Sequence, residues 1–237
     1  ILDIDNFLRV TVNQFYGIEI EEFPAQIAQT ALWLMDHQMN RLVSSRLGRY
    51  FIRIPIASSA TIIQGNALNL DWEQVVPKKE LAYILGNPPF LGARVMSKEQ
   101  SAEIACLFNG VKNAGNLDYV TGWYKKAADY IKDTTIKCAF VSTNSICQGQ
   151  QVPILWPLLF SQGIHIDFAH QTFKWSNEAR GNAAVYCIIV GFSLNESTDK
   201  KLFLYEDIKG VPKEVPAKQI NAYLMRADFT GTLRIRP

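Results

Sequence analysis

Histidine, cysteine and long apolar runs are all scarce in this chain. Its 237 residues hold three histidines and four cysteines. His37, His165 and His170 form no HExxH pattern, and no Cys/His cluster shows zinc spacing, so no metal site is expected. Cys106, Cys138, Cys147 and Cys187 are widely separated with no CxxC, which excludes a disulfide framework and suits small buried side chains in a reducing compartment. A membrane span needs about 18 or more consecutive apolar residues. The longest clean run, Ala183 to Phe192, is far shorter and reads as a buried strand. The opening ILDIDNFL carries two aspartates and no basic segment, so it is no signal peptide. It starts on Ile1 rather than Met, and the expectation is a fragment of a longer protein. Walker-type phosphate loops, internal repeats and low-complexity stretches are missing as well.

What is present is an ordinary globular balance. Apolar residues make up 48% and charged residues 19%, with a net charge of +2. That is enough apolar surface to offset the entropy of ordering the chain. Charge is uneven: residues 1–40 hold one Arg against six acids, and residues 200–237 hold eight Lys/Arg against four acids. Two solvated surfaces, or a C-terminal edge that approaches a polyanion, both account for it.

Strand and helix patterns alternate. Residues 15–20, 60–64, 81–85, 137–142, 164–168, 184–192 and 202–205 read as strands, and 24–40, 98–108, 118–132 and 153–161 as helices. In the first helix Pro24 suits the first turn, and Ala25, Ala28, Ala31, Leu32 and Met35 mark one apolar face. Alternation of this kind predicts an open α/β sheet, in which ligands bind beyond the carboxyl ends of the strands.

The residues just past those ends are therefore the candidates. Glu19 follows the first strand, where a carboxylate can accept both hydrogen bonds of a ribose diol or simply cap the next helix. Gly65-Asn66-Ala67 follows the second, as an amide that reads a purine edge or as a common turn. Gly86-Asn87-Pro88-Pro89-Phe90 follows the third. Consecutive prolines fix φ and remove N–H donors, and Asn87 is pushed toward extended geometry by Pro88. The Asn87 side-chain oxygen and the Pro88 carbonyl can accept both hydrogens of an amine while Phe90 stacks on its ring. Phe173 or Trp175, between two later strands, could cover the opposite face or pack in the core.

These segments resemble a known family. GNPPF resembles motif IV of the S-adenosylmethionine-dependent amino-methyltransferases, YGIEI their motif II and QGNAL their motif III. NLDYVTGWYKKAADYI is similar to the motif V helix, KCAFVSTNSICQGQQ to the motif VI strand and loop, and FKWSNEARGNAAVYCIIVGF to the motif VIII region. FYGIEIEEFPAQIAQTALWLMDHQMN resembles the methylase part of the MmeI-like restriction–modification proteins, which fuse an endonuclease, an N6-adenine methyltransferase and a target-recognition domain. The likeness covers roughly residues 5–195.

The resemblance implies a class I methyltransferase fold: an open, twisted, mostly parallel Rossmann-like sheet with helices on both faces. Residues 1–195 would be a partial catalytic domain, and 196–237 its end and the start of a linker or target-recognition region. The family's Gly-rich motif I and first central strand precede YGIEI and are not in this sequence, which again implies an N-terminal truncation. S-adenosylmethionine and double-stranded DNA are the implied cofactor and partner. Glu19 would bind the ribose, Ile20 the cofactor adenine and Asn66 its amine. Asn87 and Pro88 would grip the target amine, with Asn87 also bordering the cofactor. Phe90 would stack on the flipped base and Phe173, ahead of Trp175, on its other face; His170 lies nearby. A bacterial cytoplasmic enzyme without membrane contact is implied. Three other readings stand beside it: a protein glutamine-amide methyltransferase, an N4-cytosine DNA methyltransferase, and a non-catalytic fragment that docks DNA or a partner domain.

Overall fold

A computed structural model describes residues 9–48, 59–175 and 185–227. The chain divides into two compact units, Ile1–Pro77 and Lys78–Pro237. The division falls inside the stretch expected as one catalytic domain. The segment ILDIDNFL, the first residue of the strand expected from Ala184, the middle of the motif VIII-like segment and the basic end from residue 228 lie outside the described residues.

In the first unit, strand β1 (Tyr16–Glu19) pairs in parallel with β2 (Thr61–Gln64), Glu19 standing level with Gln64. Helix α1 (Glu22–Leu47) starts after Glu21 with an acid in its first turn, which complements the helix dipole. It runs well past residue 40, the end expected from the apolar spacing. Arg41, Ser44 and Ser45 blur that spacing without breaking the helix, and the two serines bond back to the Asn40 and Leu42 carbonyls. The stop comes at Gly48, in the left-handed region with φ 63°, whose N–H closes onto the Ser44 carbonyl. Of the apolar face read from the sequence, Ala25 is buried and Ala28 and Leu32 are half-buried, whereas Ala31 and Met35 are exposed. A short α2 (Trp72–Val75) follows β2, capped by Asp71 accepting from the Glu73 N–H at 3.0 Å.

The second unit is built on six strands: β3 (Tyr83–Gly86), β4 (Lys137–Thr143), β5 (His165–Trp175), β6 (Val185–Ser193), β7 (Lys200–Leu204) and β8 (Lys213–Ala217). Their order is β3-β4-β6-β5-β7-β8. β3 and β4 pair in parallel, β6 runs antiparallel between β4 and β5, β7 is parallel to β5, and β8 is antiparallel to β7. Thus β3, β4, β5 and β7 share one direction and end at one edge. The helices are α3 (Lys98–Leu107), α4 (Thr121–Tyr130) and α5 (Val152–Ser161). The architecture is the expected α/β open sheet.

The core of this unit is aromatic. Tyr124, Phe140, Trp156 and Phe192 are almost fully buried. Tyr124 stacks on Phe192 with ring centres 5.4 Å apart and meets Phe140 edge-on at 5.3 Å. Such pairs are worth about 0.5–1.5 kcal/mol each beyond the area they bury. The Tyr124 hydroxyl pairs with Ser142 at 2.7 Å, and burial pushes its phenol up. Gly191 has a close-approach role: a Cβ there would lie 2.0 Å from the Phe168 ring.

Candidate active site

In the first unit, Glu19 ends β1 half-buried. Its Oε1 accepts from the N–H groups of Ile20 (2.9 Å) and Glu21 (3.3 Å), which fixes the carboxylate over the entry to α1. Its Oε2 has no described partner. The Ile20 side chain is 58% exposed, so it offers an apolar surface beside that carboxylate. Past β2, Asn66 is half-buried and its Oδ1 accepts from the Leu68 N–H at 2.9 Å, an Asx-turn. Gly65 does not use left-handed backbone here: a Cβ on it would stand 2.8 Å from the Leu70 side chain, which would have to shift to admit one.

In the second unit, β3 ends on Gly86, level with Phe140 of β4. A Cβ on Gly86 would lie 3.0 Å from the Phe140 ring, so this glycine also serves close approach. The chain then enters Asn87-Pro88-Pro89-Phe90. Asn87 is exposed, Pro88 buried and Phe90 half-buried. No hydrogen bond among the described residues takes the Asn87 side-chain oxygen or the Pro88 carbonyl. The reason is covalent. The Asx-turn of Asn66 uses the N–H two residues on, and the residue two on from Asn87 is Pro89, which has none. The Leu91 N–H donates to the Pro89 carbonyl at 3.2 Å, a γ-turn with Phe90 at its apex.

Strand register places Phe173 at the same edge. Thr143, three residues beyond Phe140, is level with Cys187 of β6, and Cys187 is level with Phe173 of β5. Phe173 is half-buried and stacked on Tyr205 at 5.3 Å, while Trp175 is 41% exposed and tilted 6.2 Å from Phe173. One face of Phe173 is thus already covered. His170 lies against Phe203, ring centres 4.1 Å apart, and its Nδ1 meets the Tyr205 hydroxyl at 2.8 Å. Burial holds its imidazole below the usual range. Among the described residues no group of His, Cys, Asp or Glu could hold a metal ion, and no helix is long and apolar enough to cross a membrane.

Sequence reading missed a polar network behind this edge. Asp118, 8% exposed, accepts from the Ala93 N–H at 3.1 Å through Oδ1, and from the Thr143 hydroxyl at 3.4 Å and the Ser145 hydroxyl through Oδ2. Its own N–H donates to Gln151 at 2.9 Å. The signal was an acid at the head of α4, a position that ordinarily means only a helix start.

Comparison with known proteins decides the family. The profile described as "MmeI, DNA-methyltransferase domain" matches residues 2–205. The chain belongs to the MmeI DNA-methyltransferase domain family. It is 42% identical over 212 residues to DNA methyltransferase A of Bacillus subtilis (strain 168), covering 87% of this chain and 24% of that protein. Among solved structures it is similar to the Type IIL restriction-modification enzyme MmeI in complex with DNA, with 54% identity and a TM-score of 0.90, over 94% of this chain and 30% of that one. The type IIG restriction endonuclease BpuSI shares the fold at 13% identity and a TM-score of 0.50, over 90% of this chain and 26% of its own. The chain spans about a quarter to a third of the relatives it matches.

Proposed function

We propose that this chain carries the catalytic machinery of a DNA adenine-N6 methyltransferase within a restriction–modification polypeptide. The observation that carries the reading is the pair of unpartnered acceptors on Asn87 and Pro88, held at a strand end beside the Phe90 apex.

An adenine amine is a poor nucleophile because its lone pair is delocalised into the ring. The Asn87 oxygen and the Pro88 carbonyl accept its two N–H bonds and draw electron density onto nitrogen. Phe90 holds the base by stacking, with Phe173 as its second contact. The base is inaccessible inside a duplex and is flipped out, at a cost of a few kcal/mol that stacking partly offsets. S-adenosylmethionine, when bound, supplies an electrophilic methyl group. Glu19 fits its ribose diol through the oxygen that has no described partner, exposed Ile20 its adenine face, and Asn66 its adenine amine. Positioning and fixed dipoles supply the acceleration, without a covalent enzyme intermediate. Double-stranded DNA is the partner, and fused endonuclease and target-recognition domains complete the polypeptide.

The test is to incubate the complete polypeptide with methyl-deuterated S-adenosylmethionine and DNA, then digest the DNA and identify the labelled nucleoside by mass spectrometry. Labelled N6-methyl-2′-deoxyadenosine is expected. Labelled N4-methyl-2′-deoxycytidine, or label on protein glutamine with unlabelled DNA, overturns the reading.

A further inference from the structure

The segment after Phe90 is tied to the rest of its unit at two backbone points. The Leu91 carbonyl accepts from the Tyr119 N–H at 2.9 Å, and the Ala93 N–H donates to the Asp118 carboxylate at 3.1 Å. Among the described hydrogen bonds, residues 87–95 make no others to another element. Both anchors therefore belong to one dipeptide, Asp118-Tyr119, at the head of α4.

Asp118 is itself over-determined. It is buried, and a buried carboxylate must be hydrogen-bonded to be tolerated. Its second oxygen takes the hydroxyls of Thr143 and Ser145, at and just beyond the end of β4, and its N–H reaches Gln151. The β4 end thus orients the carboxylate, and the carboxylate orients the loop. Through these links the strand edge sets where the Phe90 turn sits.

We propose that Asp118 is a positioning residue for methyl transfer: through the Ala93 N–H and the Thr143 and Ser145 hydroxyls, it fixes the Asn87–Ala93 loop in register with the end of β4. It touches neither base nor methyl donor. The proposal rests on the amine-methylation reading, and it adds a residue outside the N-P-P-F segment on which transfer depends.

The experiment compares Asp118→Ala and Asp118→Asn in the complete polypeptide. Asparagine keeps an oxygen for the Ala93 N–H and can donate its amide to a reoriented hydroxyl. The Asp118→Ala variant is expected to lower kcat by about 10- to 100-fold, as a misplacement near 1 Å does, with KM for S-adenosylmethionine within about twofold. Asp118→Asn is expected to stay within about threefold of wild type in kcat. Ala93→Pro removes the donor while leaving the carboxylate, and should reproduce the alanine effect if Asp118→Ala fails to fold. Hydrogen exchange of residues 91–93 reads the loop without turnover: about tenfold faster exchange is expected in Asp118→Ala and none in Asp118→Asn. Unchanged kcat and exchange in Asp118→Ala, or equal loss in both Asp118 variants, overturns the proposal. Because rates are taken relative to wild type on whatever amine it methylates, and exchange needs no methylation, failure here is separable from failure of the adenine reading.

Discussion

Two turns in this molecule open on the same dipeptide at the end of a four-residue strand: Gly65-Asn66 just after β2, and Gly86-Asn87 from the last residue of β3. Neither glycine uses left-handed backbone, and at each a Cβ would crowd a neighbouring side chain, Leu70 or Phe140. The asparagines then part ways. Asn66 turns its oxygen onto the Leu68 N–H and accepts from Asn69 and Leu70 with its carbonyl, so the turn satisfies itself. Asn87 meets two prolines and finds no N–H to accept from. The prolines are not only stiffeners. They withhold the local partners that an asparagine after a strand ordinarily takes, and so leave its oxygen for an outside donor.

The comparison breaks most sharply at Asn87 itself. Asn87→Ala removes one of two amine acceptors, and kcat should fall by about 100- to 1,000-fold with little change in melting temperature, measured by single-turnover methyl transfer and thermal unfolding. Pro89→Ala tests the withheld N–H: a donor restored two residues after Asn87 lets an Asx-turn like that of Asn66 form. The rate should drop by about tenfold while stability holds, and a rate equal to wild type would show that the prolines matter only as stiffeners. Phe90→Ala should weaken capture of the extruded base by about 1–3 kcal/mol, and Phe90→Tyr should restore it, read as fluorescence of 2-aminopurine placed at the target. Asn66→Ala should cost about 1 kcal/mol of stability for the lost turn, read as unfolding free energy, and raise KM for S-adenosylmethionine with kcat retained.

Much of this contrast is legible in residue order, because proline's missing N–H is a covalent fact that no packing can reverse. Other features are not. The end of α1 was hidden by Arg41, Ser44 and Ser45, which carry no apolar signal although the helix continues to its glycine cap. β5 runs to Trp175, beyond the expected end at residue 168, because register shifts at Ile166/Phe168 and His170/Phe173 disrupt the alternation that marks a strand. β8 was missed since Pro216 argues against a strand, yet among the described residues β8 pairs with β7 alone, at the sheet edge, where proline is tolerated. Asp118 looked like a helix start, and only its partners from three distant segments reveal what it holds.

The smallest effect concerns His170, whose imidazole is held by burial below its ordinary value of 6.5. The folded state therefore favours the neutral ring. Its contribution to stability is fully present above pH 6.5 and is lost as pH falls through the folded pKa. Melting temperature should decline on acidification below that value, and His170→Gln should flatten the decline.

The central claim is that the prolines leave Asn87 and Pro88 with open acceptors for a nucleobase amine. A crystal structure of the complete polypeptide with its DNA and a non-reactive cofactor analogue tests it directly. The account predicts the adenine N6 within about 3.2 Å of both the Asn87 Oδ1 and the Pro88 carbonyl oxygen. An Asn87 side chain turned back onto its own backbone, with the amine bonded elsewhere, would contradict it.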